Sequence, residues 1–289
     1  MSVTDTQRAA YRRELERIAR VNAELTAEGF RAVAESFDDV RRTLVDTIAR
    51  LPNGPTRAEY ERALRDLDTA MVRWAEAMGR TIGDLHEGGY AAGAASVTEP
   101  LRAAGVDAVV RVIDPDTVSM LGRFRADLID DNTSTMRHRI STEIAAVASG
   151  AATPGDIAAR IAGDLRGRPS TFASVEARAR AIVVTELGRV NGLGAQAAMT
   201  ANVEVIPELR KRWLSSHVFD YRPAHAEAED RYAPGGSVGP IPVDEAYSIN
   251  GFPAMYPHDP SLPASEAVNC HCVSIAVIPE IEAAVAGVS

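Results

Sequence analysis

The sequence predicts a mainly α-helical protein: a long N-terminal helical hairpin and a helical middle region, followed by a small loop-rich α+β C-terminal module. Three observations carry this. Alanine is abundant through residues 7–200 while aromatic residues make up only 5% of the chain, a balance that favours helices over β-sandwiches. Apolar residues in the first part recur mostly every three to four positions with charges between them, which is the helical period. Beyond about residue 201, prolines and glycines become frequent, from Pro207 and Pro223 through Gly235, Gly236, Pro253 and Pro263. A division into a helical arm or bundle over 1–135 and a module over 136–289 follows.

Residues 4–50 read as one helix, with Leu15, Ile18, Val21, Leu25, Phe30 and Val33 on its apolar stripe and Thr4 and Gln7 spaced as a capping box. Leu51-Pro52-Asn53-Gly54-Pro55 breaks it. Thr56 can cap a second helix to about residue 96, carrying Tyr60, Leu64, Leu67, Met71, Trp74 and Met78. The two form an antiparallel hairpin. Val106, Val109, Val110, Val112 and Ile113 allow a short strand before Asp114-Pro115. A third helix spans about 116–149, a short one capped by Thr153 or Asp156 runs to Leu165, and another covers 171–200. Segments 203–206, 211–215 and 273–278 read as strands, and most of the chain between them as loops.

Composition narrows the function classes. A formal net charge of -9 argues against a protein that coats nucleic acid with a basic surface. The Arg positions at the start (Arg8, Arg12, Arg13, Arg17, Arg20) alternate with Glu14 and Glu16, which reads as a solvated face. Residues 1–20 lack the apolar stretch of a signal peptide, and no run of eighteen apolar residues exists to span a membrane. Lys211 is the only lysine.

The chemistry gathers in the last eighty or so residues. Both cysteines sit in one pair, Cys270-His271-Cys272, and four of the six histidines lie in the same stretch. Two cysteines one residue apart are poor disulfide partners, and nothing points to an oxidising compartment. Thiolate and imidazole are the usual zinc ligands. His225, Cys270 and Cys272 are therefore zinc candidates, with His217, Asp220 or His271 completing four. The plainer reading is two thiols and a histidine satisfied in a core. Glu186 and Arg189 are spaced to pair on a helix, and with Asp220 and Arg222 they could form a buried network locking that helix to the loop module.

In order along the chain come Arg180, Thr185-Glu186 and Arg189, then Trp213, then Asp220-Tyr221-Arg222-Pro223-Ala224-His225, then a Gly/Pro-rich stretch over 234–251, then Asn269-Cys270-His271-Cys272 and a closing apolar strand. This order resembles the phage Mu F-like minor head proteins, the phage head morphogenesis family, over about residues 140–279. The segment from Gly155 to Ile161 also fits the family's helical lead-in. His271 stands where arginine is more usual, and Asn191 is offset by one residue. The resemblance implies a non-enzymatic structural protein of a tailed bacteriophage, assembled in the host cytoplasm and located in the virion at the portal vertex inside the capsid. It implies the portal protein as partner, with the major capsid or scaffolding protein and packaged DNA as further contacts, no membrane in assembly, and a role in head assembly or in DNA packaging and ejection. Glu186, Arg189, Trp213, Asp220, Arg222 and Asn269 are then expected as the module's structural network.

The alternative class is a zinc-dependent hydrolase or deaminase-like enzyme. His225-Ala226-Glu227 supplies the H-x-E of a nucleobase deaminase, but Val268-Asn269-Cys270-His271-Cys272 lacks the proline and the C-x-x-C spacing. The sequence has no H-E-x-x-H, G-x-S-x-G, P-loop or G-x-G-x-x-G.

Overall fold

The computed structural model describes residues 4–109, 115–164, 175–215 and 222–279. Five long or medium helices come first: α1 (Asp5–Ala49), α2 (Arg57–Ala103), α3 (Pro115–Ala148), α4 (Pro154–Asp164) and α5 (Val175–Asn202). The C-terminal part adds β1 (Arg210–Leu214), α6 (Pro223–Tyr232), β2 (Ile241–Pro242), β3 (Tyr247–Ile249), β4 (Phe252–Ala254), α7 (Ala264–Ala267) and β5 (Val273–Val277). The mainly helical class with a small antiparallel C-terminal module is as expected. No helix among the described residues is long and apolar enough to cross a membrane.

Three helices begin with reciprocal capping boxes, in which two otherwise orphaned donors are satisfied at once. Thr4 and Gln7 exchange bonds of 2.9 and 3.2 Å ahead of α1. Thr56 and Glu59 do the same for α2 at 2.8 and 3.4 Å. At α4 the expected choice between Thr153 and Asp156 resolves into both, exchanging bonds of 3.2 Å in each direction.

The chain packs as two compact units. One comprises residues 28–84 and 115–180. Its core runs along α1 and α2 through Val33, Phe37, Leu44, Ile48, Leu67, Met71, Trp74 and Ile82, with Met136, Ile140, Ile144 and Ile157 from α3 and α4. Phe37 and Trp74 meet with ring centroids 5.3 Å apart. The Arg178 guanidinium stacks over Phe37 at 5.7 Å, and Arg180 over Phe30 at 5.5 Å.

The other unit comprises residues 1–27, 85–114 and 181–289. Here glycines let α2 and α5 approach closely. A Cβ on Gly93 would lie 2.0 Å from the Asn191 carbonyl oxygen, and one on Gly194 would lie 2.2 Å from that of Tyr90. The sheet order is β2-β1-β5, antiparallel throughout, with Trp213 opposite Ser274 and Lys211 opposite Ala276. β3 and β4 form a separate hairpin whose turn places Asn250 and Gly251 at positive φ, 48° and 83°. One apolar cluster joins Val97, Leu101, Ala104, Ala195, Met199, Ile206, Leu209, Ala276 and Ile278.

Several sequence expectations are corrected. α2 runs to Ala103 instead of ending near 96, through Pro100. A helix-interior proline costs about 3 kcal/mol, but Val97 and Leu101 are buried to 1% and 2% exposure in the core. Burying two such side chains contributes a comparable or larger amount, roughly 1.5–3 kcal/mol each. The stretch 203–206 is a turn rather than a strand: Val205 and Ile206 donate their backbone N–H groups back to the Asn202 carbonyl, and Val205 stays 57% exposed. Residues 106–109 are not a strand either, and 110–113 lie outside the described residues. Instead the fully buried Asn202 amide copies a ladder, accepting from Val109 N–H at 2.6 Å and donating to the Val109 carbonyl at 2.9 Å. β2, β3, β4, α6 and α7 fall where loops were expected.

Candidate metal centre

Alternation along β1 turns Lys211 and Trp213 inward, both at 0% exposure. Trp213 anchors a second apolar cluster with Ala228, Tyr232, Tyr247, Ile249, Ala267, Cys270 and Cys272. Its ring meets His225 edge to face at 5.5 Å and Tyr247 at 5.4 Å. α6 starts from Arg222 in extended backbone with Pro223 in the first turn, a position where the missing proline N–H costs nothing. His225, Ala228 and Tyr232, spaced three and four apart, form its buried face.

The two cysteines arrive from the other side. After α7, Asn269 takes a left-handed φ of 56° and donates its backbone N–H to the Thr185 hydroxyl at 3.2 Å. The chain then extends, so Cys270 and Cys272 are buried at 3% and 6% exposure while His271 between them is exposed. His225 Nδ1 lies 3.3 Å from Cys272 Sγ and 3.5 Å from Cys270 Sγ. The three ligand atoms all fall within 4.8 Å of one another.

Glu266 fixes the imidazole. Its carboxylate is 3.0 Å from His225 Nε2 and also accepts from Asn250 Nδ2 at 3.0 Å. With Glu266 engaging Nε2, Nδ1 is the ring nitrogen that faces the sulfurs and the one available to a metal. The Cys270 thiol is held well below the ordinary thiol range: the neighbouring Cys272 contributes most, burial opposes, and His225 and His258 add to the lowering. The Cys270 thiol so favoured to ionise, the Cys272 sulfur beside it, one oriented imidazole and a carboxylate behind it make a set suited to a soft or borderline divalent metal. The centre borders a cleft of about 210 Å³ lined among others by Asn22, Asn191, His258, Cys270, His271 and Cys272.

Of the other residues singled out from sequence, His217 and Asp220 lie outside the described residues. The described network residues make the following contacts. Glu186, buried on α5, accepts from Arg189 Nη1 at 2.6 Å and sits 3.0 Å from His86 Nε2 of α2. Arg222 donates to the Val268 carbonyl at 2.6 Å, tying the start of α6 to the segment before the cysteines. Sequence reasoning did not find Glu266, His86 or His258. Glu266 pairs with a residue 41 positions away, so no local pattern marks it.

No family model matches the sequence, no curated protein matches it, and no solved structure matches the fold.

Proposed function

We propose that this chain is a minor head protein of a tailed bacteriophage, acting at the portal vertex by binding rather than turnover, with its C-terminal module clipped by one zinc ion on His225, Cys270 and Cys272. The observation that carries this reading is the convergence of the motif residues from Thr185 onward on one compact unit. Thr185 binds the Asn269 backbone, Arg222 binds Val268, and His225 faces both cysteines against Trp213. Separated sequence features that resemble one family thus meet as parts of a single structure.

Zinc bound there would supply a cross-link between the start of α6 and the strand at the end of the module. The enclosed segment is rich in proline and glycine and its strands and helices are short, so a clip across it restricts the unfolded chain and stabilises the fold. His225 supplies one donor, Glu266 orients its ring, and Trp213 packs in the same buried cluster as the thiols. Portal protein is the proposed partner, and the virion the proposed location. The deaminase-like alternative needs Glu227 to act as a proton carrier beside the metal. The Glu227 side chain is 68% exposed and ion-paired with Arg231, an arrangement suited to a helix surface.

The test is co-purification of the full chain with the portal oligomer of the same phage, followed by sedimentation and elemental analysis. Co-migration with about one zinc per chain supports the reading. Zinc-dependent deamination or hydrolysis that Glu227→Gln abolishes would overturn it.

A further inference from the structure

We infer that His258 is the fourth ligand of this centre, closing it as a site of two cysteines and two histidines. The inference rests on the zinc reading above and assigns the position that reading leaves open.

His258 is 1% exposed, and neither ring nitrogen has a hydrogen-bond partner. An imidazole in the interior almost always has at least one partner, because losing water without replacement is unfavourable. The ring lines the same cleft as Cys270 and Cys272. Its nitrogens lie outside the 4.8 Å group formed by the other three donors, so coordination involves a turn of the ring toward the sulfurs.

The surroundings fix the backbone turn that carries His258 and leave room beside its ring. His258 has a left-handed φ of 64°, a conformation uncommon outside glycine that histidine adopts more readily than most residues. The turn is pinned by Asp259, which accepts from Met255 N–H at 2.8 Å and donates its own N–H to the Tyr256 carbonyl at 3.2 Å. Gly188 on α5 makes the room: a Cβ there would lie 2.3 Å from His258 Nε2. His271, by contrast, is exposed between two buried thiols. A closed four-ligand set is the pattern of structural zinc, whereas catalytic zinc keeps a position for water. Ligation by His258 therefore also predicts a site without an exchangeable water.

The experiment compares full-length wild type with His258→Ala, His271→Ala and His258→Cys. Zinc affinity is read by chelator competition and the ligand set by X-ray absorption. Wild type should hold zinc with two sulfur and two imidazole neighbours. His258→Ala should weaken binding more than about 100-fold, beyond what loss of a supporting residue costs, while His271→Ala should bind as wild type does. Should His258→Ala fail to fold, His258→Cys decides: a third sulfur neighbour supports the assignment, and two sulfurs with retained zinc overturn it. Folded His258→Ala with wild-type affinity and two imidazoles removes His258 and leaves the zinc reading standing. Wild type without zinc and with freely reactive thiols removes both.

Discussion

Lys211, the only lysine, sets a pH dependence of stability that one substitution isolates. Its side chain is 0% exposed; Nζ donates to Gln196 Oε1 at 3.1 Å and to the Met255 carbonyl at 2.8 Å, and lies 5.0 Å from the Tyr247 ring centre. Burial lowers its pKa from 10.5 to about 8, partly opposed by Asp244, Asp259 and Glu245. In the unfolded chain the amine keeps its ordinary affinity for the proton. Between pH 8 and 10.5 the unfolded state therefore binds more protons than the folded state, and stability rises with pH. Below pH 8 both states are protonated and the burial penalty is constant. Across the whole window the gain is about 3 kcal/mol, at roughly 1.4 kcal/mol per pH unit. Lys211→Met removes this proton linkage. Its absolute stability also changes, because the Gln196 and Met255 oxygens lose a donor, but that loss does not depend on pH. Urea unfolding of wild type and variant, from about pH 7 to about pH 10, should give a stability difference that is flat at first and then moves in favour of wild type by about 2–3 kcal/mol. A difference that stays level across this range would refute the reasoning and mean that the folded protein holds Lys211 as a normal, hydrated ammonium.

Three further outcomes are expected. Glu266→Gln can meet the protonated Nε2 of His225 only with its amide oxygen and so loses the ionic hold on the ring; zinc affinity should fall about 10- to 100-fold by chelator competition, with helical circular dichroism unchanged. Gly93→Ala places a methyl 2.0 Å from the Asn191 carbonyl oxygen, so the helices must separate; thermal unfolding should show a loss of about 1–3 kcal/mol or more, whereas the same change at Gly122, with open space around it, should be neutral or stabilising. Burial raises the pKa of Tyr247 and of Tyr256 above the usual phenol value of 10.0, so the unfolded chain loses those protons first and stability should decline above about pH 10. Tyr256→Phe should shallow that decline in alkaline unfolding curves.

The sequence by itself determined what depends on neighbours a few residues away. The capping boxes at Thr4, Thr56 and Thr153 are written in pairs three apart, and the stripe through Leu67, Met71, Trp74 and Met78 in the helical period. The thiol and imidazole donors of the metal centre were visible as residue types in one stretch. Only the tertiary structure decided which of them meet. α6 has no strong apolar stripe, and it is a helix because His225, Ala228 and Tyr232 find Trp213 and Tyr247 to pack against. Val203 to Ile206 have strand-forming side chains but form a turn at the end of α5. Glu266 and His258 matter through partners at separations no periodicity records, and Lys211 is buried because strand alternation aims it inward beside Trp213. Pattern in sequence reports local backbone preference and the side a residue faces. Which side chain stands opposite is set by long-range closure of the chain, and there the chemistry of this module is made.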